Sequence, residues 1–145
     1  MKNLIGILLL TIIMGRSNSN QANTDISSDK NCLINLMLGY PDLVKFINNG
    51  EIDTVYLIKN EHLNNENVNH KLIRKPVVFV NKPVGYPKYG KFDNTKFQIS
   101  FELLKIKGDD AEGSILIKSV GVLSFFKFIR HNYKWKVSGY SKGMI

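Results

Sequence analysis

The chain has 145 residues, a formal net charge of +8, three histidines and one cysteine. That length suits a single domain with one modest core, and one cysteine excludes both an internal disulfide and a paired-cysteine zinc site. There is no P-loop and no His-Glu-x-x-His, so nucleotide hydrolysis and zinc-protease chemistry have no carrier here.

The first residues read as a targeting segment. Met1-Lys2-Asn3 is a short positive start, Leu4 to Met14 is apolar except at Gly6 and Thr11, and Ser17-Asn18-Ser19 offers a small-x-small cleavage pattern. This order predicts a signal peptide over 1–19, a polar linker over 20–28 and a single α+β domain over 29–145, exported to a periplasmic or secreted location. The apolar run is well short of the about 20 residues that a spanning helix needs, so the membrane is met only through this leader. Cys32 falls in an apolar helical pattern and is expected to be buried as a small hydrophobe.

Helix comes next. Ser27, Ser28 and Asp29 are N-cap candidates for Asn31 to Leu38, where Leu33, Leu36, Met37 and Tyr40 recur at helical spacing. Gly39 and Pro41 forbid one continuous helix, and Leu43, Val44, Phe46 and Ile47 give the second segment its apolar face. Ile52 to Lys59 and Pro76 to Val80 suit short strands, with an asparagine-rich loop over 60–70 between them. Pro83 to Gly90 is an irregular loop, and over Tyr86 to Phe92 the aromatics Tyr86, Tyr89 and Phe92 are interleaved with Lys88 and Lys91.

The last 50 residues organise the rest. Phe97, Ile99, Phe101 and Leu103 alternate with Gln98, Ser100 and Glu102, then the alternation breaks because Leu104 and Ile106 are apolar where polar residues are due. A β-bulge near Leu103-Leu104 accounts for the break. Gly108-Asp109-Asp110 is a turn, Ile115 to Val122 and Phe125 to Arg130 are strands, His131-Asn132 is a tight turn, and Tyr133 to Tyr140 closes the meander. The predicted core is Leu36, Tyr40, Val44, Ile47, Phe79, Phe97, Phe101, Ile117, Phe128 and Trp135.

Charge is uneven. Residues 20–66 hold seven acids against Lys30, Lys45 and Lys59, whereas Ser114 to the end holds six bases and no acid. Such a face attracts anionic polymers or an acidic partner protein. His62 and His70 flank the loop, with Glu61 just before His62 and Glu66 between the two, but they lack a third convergent ligand, so neither metal nor cofactor is expected. Asp53, Tyr56, Asp93 and Glu102 are the groups from which a pocket acid–base pair would be built.

The runs Ala111-Glu112-Gly113-Ser114-Ile115-Leu116-Ile117 and Phe126 to Val137, with Lys134-Trp135-Lys136-Val137 after a polar turn, resemble the end of nuclear-transport-factor-2-like and other cystatin-like-fold proteins. That resemblance covers about 45 residues of pattern. Tyr133 stands where those proteins often have glycine, and the Gln-x-Val-x-Gly signature of cystatin protease inhibitors is absent. The resemblance implies an N-terminal kinked helix or helix pair packed on a curved antiparallel sheet, a cystatin-like cone. The expected function is an exported, non-enzymatic binding module for a small apolar ligand or an envelope protein, with Tyr56, Phe79, Phe101 and Trp135 as ligand-binding candidates. Two other readings stay open: an isomerase- or dehydratase-type enzyme using Asp53 or Asp93, and an electrostatic binder of anionic polymer. Export argues against nucleic acid.

Overall fold

A computed structural model of the chain describes residues 18–48, 52–63, 68–84 and 96–145, without the side chains of residues 18–25 and of His70. The apolar run Leu4 to Met14 expected to be a leader, Glu66, Asp93 and the aromatic loop from Gly85 onward lie outside the described residues. Two helices come first, α1 over Asn18–Leu38 and α2 over Pro41–Asn48. They part at Gly39 and Tyr40, because Pro41 has no amide to continue α1 but fits the first turn of a new helix. Gly39 N donates to Asn35 O at 2.9 Å and Tyr40 N to Met37 O at 3.2 Å, which closes the end of α1. α1 begins well before the expected cap at Ser27 to Asp29, so residues 20–28 are helix where a linker was expected. That stretch contains neither glycine nor proline, and nothing in it stops a helix extending back from the packed turns at Leu33 to Leu38.

The strands are β1 (Thr54–Ile58), β2 (Val77–Val80), β3 (Lys96–Lys107), β4 (Asp110–Ile117), β5 (Val122–His131) and β6 (Lys134–Met144). They form one open sheet in the order β2-β1-β3-β4-β5-β6. The α+β class and the antiparallel meander from β3 to β6 stand as expected. The other half departs from the expectation, since β1 runs parallel to both β2 and β3. The sheet is therefore mixed rather than antiparallel, and it has two edges, β2 and β6. Parallel neighbours need a crossover of about a dozen residues, which the stretch 59–76 and its 3-10 turn at His70–Leu72 supply.

Turns set the finer boundaries. Gly108 and Gly121 take φ values of 62° and 65°, so β4 begins at Asp110 and ends at Ile117, earlier at both ends than the apolar run suggested. The expected bulge is present at Glu102, where the β3–β4 register shifts between Phe101 and Leu103. The extra residue turns Leu104 and Ile106 to the same face as Phe97, Ile99 and Phe101. A second register shift, in β6, leaves Ser138 unpaired between Val137 and Gly139.

The core lies between the helices and one face of the sheet. Leu33, Ile34, Met37 and Leu38 of α1, with Leu43 and Ile47 of α2, pack on Phe97, Ile99, Phe101, Ile115, Ile117, Phe126 and Phe128. Of the expected core, Ile47, Phe97, Phe101, Ile117, Phe128 and Trp135 are buried, while Leu36, Tyr40 and Phe79 are partly buried against them.

Candidate functional site

The four candidate residues occupy separate places. Phe101 is fully buried in the middle of the sheet, and Trp135 is 6% exposed on β6 at one edge. Phe79 sits on β2 at the other edge, beside Leu57 on the helix side. Five strand spacings put the two edges about 24 Å apart. Tyr56 alternates with the buried Val55 and Leu57 and so faces the other side, next to Gln98 and Val78. The four share no common site.

On the helix side of the sheet the side chains of α1 and α2 pack against those of the strands in one core cluster. A Cβ built on Gly113 would lie 2.7 Å from Met37 Sδ, so α1 rests almost on the backbone of β4. Phe126 and Phe128 stack at 6.0 Å, and Tyr40 meets Phe126 edge-on at 5.3 Å and Tyr140 at 4.3 Å.

Beyond that core is a polar knot. Arg130 Nη1 donates to Asp29 Oδ2 and Trp135 Nε1 to Asp29 Oδ1, both at 2.8 Å. Arg130 Nε donates to Asp109 Oδ1 at 2.8 Å, and the guanidinium lies 5.0 Å from the Trp135 ring centre. The knot joins α1 to the β3–β4 turn, β5 and β6, and it explains the burial of Trp135 with its polar atom bonded. Its parts are legible in hindsight: Phe126, Phe128 and Arg130 are alternate residues of β5 and fall on one face. Arg130 thus belongs to the helix side rather than to a cationic outer surface. Lys142 also faces the helices, donating to Asp42 at 3.2 Å.

The opposite, outer face differs from one end to the other. Near β1, Gln98 holds the chain across the sheet: its Oε1 accepts from Val84 N at 2.9 Å and its Nε2 donates to Val84 O at 2.8 Å. Farther along, Leu103, Ser114 and Phe125 stand in one row across β3, β4 and β5. Phe125 and Ile129 are each 46% exposed and Leu103 38%. Lysines alternate with them: Lys127 lies between Phe125 and Ile129 along β5, and Lys136 pairs with Ile129. Glu112 is flanked by Lys105 and Lys127 in register. Exposed apolar side chains gathered in a row and framed by lysines are a feature common to association surfaces.

Among the described residues, groups with reactive side chains are dispersed. Asp53 and Glu102 are exposed. His62 Nε2 is 3.5 Å from Glu61 Oε1, and among the described residues no cluster of three metal-ligating side chains forms. Cys32 is exposed, which corrects the expectation of burial. Its neighbours Leu33 and Ile34 take the core-facing positions of that turn instead. Atoms around the sulfur push the thiol up, and the Asp29 carboxylate one turn earlier adds to the effect. Gly139-Tyr140-Ser141-Lys142-Gly143 matches the Gly-x-Ser-x-Gly pattern. It runs along β6 with Ser141 exposed, whereas a nucleophile elbow needs a sharp strand-to-helix turn. No protein-family model, curated protein or solved structure matches the chain.

Proposed function

We propose that the chain is an exported, non-enzymatic binding module that engages an envelope partner through the outer face of β4, β5 and β6. One observation carries this reading: Phe125 and Ile129 stay nearly half exposed on a strand whose other face is buried. Large apolar side chains left in water next to lysines favour a partner that supplies both apolar contact and negative charge. A small apolar ligand is the weaker reading, because the side chains of α1 already occupy the space against the sheet where it would sit. A purely electrostatic binder is also less favoured, since Arg130 and Lys142 are engaged by Asp29, Asp109 and Asp42.

The test compares retention of the protein on the envelope fraction of its own cells. Phe125→Thr with Ile129→Thr keeps strand-forming residues and is expected to abolish retention. Ile26→Gln, at an exposed apolar residue of α1, is expected to leave it unchanged. Equal retention of the double variant and the wild type would contradict the reading.

A further inference from the structure

β6 is the long edge of the sheet, with 11 residues and, among the described residues, no strand beyond it. The phase of its hydrogen-bond ladder follows from its neighbour. Arg130 N donates to Asp109 O at 2.7 Å, so the peptide groups of Phe126, Phe128 and Arg130 point to β4. Those of Phe125, Lys127, Ile129 and His131 then point to β6, where their partners are Ser141, Gly139, Lys136 and Lys134. The peptide groups of Trp135, Val137, Tyr140 and Lys142 are left facing outward, and no backbone hydrogen bond among the described residues reaches them.

The two faces of this edge differ in chemistry. Lys134 and Lys136 stand exposed on the outer face, while Val137 and Tyr140 are partly buried on the helix side. The strand carries three lysines and no acid. We propose that β6 accepts an extended segment of a partner protein as a seventh strand, and that this segment alternates acidic and apolar residues. Its acids would lie beside Lys134 and Lys136, and its apolar residues would extend the surface of Val137 and Tyr140. A second copy of the chain is a poor occupant, because a β6–β6 pair would bring together the three lysines of each strand with no acid between them. Lysines and the bulge at Ser138 guard the edge against indiscriminate pairing, and the same lysines select an acidic strand. The inference deepens the proposed function and rests on it, since it names how the partner joins the sheet and what chemistry it brings.

The probe is a synthetic peptide of alternating valine and glutamate, tested on the full chain beside the same peptide with lysine for glutamate. Hydrogen exchange read at single amides is expected to slow at Trp135, Val137, Tyr140 and Lys142 with the glutamate peptide and at none of them with the lysine peptide. Lys142→Pro removes one outward amide without removing a β5–β6 bond and is expected to abolish the protection. Lys134→Glu with Lys136→Glu is expected to weaken binding about tenfold. Protection confined to β2, equal binding of both peptides, no binding by the wild type, or a dimer protected at the same four amides would each overturn the proposal. If envelope retention still depends on Phe125 and Ile129 in that event, the outer-face reading stands and strand addition alone falls.

Discussion

Tyr133 follows Asn132 in the β5–β6 turn, at φ values of 60° and 49°. Two consecutive left-handed residues make the tight turn that suits the twist of a hairpin. Asparagine tolerates that conformation, whereas a tyrosine strains in it. Tyr133 is 98% exposed and forfeits no packing if replaced. Tyr133→Gly is therefore expected to stabilise the fold by about 1 kcal/mol, read from the midpoint of urea unfolding. Cys32 makes a second case at this scale. Its raised thiol pKa means less thiolate at neutral pH than an ordinary cysteine has, so an exposed residue should react slowly. Titration with a maleimide is expected to label Cys32 fully without denaturant but more slowly than glutathione. Labelling that requires denaturant would contradict its exposure.

At the level of elements, α1 is held at two points. One is the close approach of Met37 to Gly113, and the other is the contact of Asp29 with Arg130 and Trp135. Asp29→Ala orphans the indole N–H and removes one of two carboxylates from a partly exposed arginine. The expected loss is about 2 kcal/mol, with a change in Trp135 fluorescence, whereas Asp29→Asn keeps an acceptor and loses less. Gly113→Ala pushes a methyl into a fully buried Met37, with an expected cost of about 1 kcal/mol that falls when Met37 is shortened to Val. Local pattern made many elements readable. The helix break at Pro41, the bulge near Leu103 and the hairpin at Asn132 each follow from a single residue type whose backbone or periodicity has few options. Asp29 and Arg130 were hidden because they are 101 positions apart, and each alone looks like a cap or a surface charge.

For the molecule as a whole, alternation told strand from helix but not which strands would be neighbours. Val55 pairs in parallel with both Val77 and Phe97, and nothing in Ile52 to Lys59 distinguishes that arrangement from an antiparallel one. The surface was legible only in part. Phe125 and Phe126 are adjacent and chemically identical, yet one is 46% exposed and the other 2%. Which of the two faces the helices depends on register with β4, where Gly113 stands opposite Phe126 and makes room for Met37. That register divides the sheet into a filled face and an open one. It can be measured directly by hydroxyl-radical footprinting, with and without the envelope fraction. The free protein is expected to be modified at Leu103, Phe125, Ile129 and Tyr133, and spared at Phe101, Phe126 and Phe128. On addition of the fraction, Phe125 and Ile129 should become protected while Tyr133 stays reactive. Protection that changes at Phe126 and Phe128 and not at Phe125 would mean that the ligand enters between helix and sheet, contradicting the account.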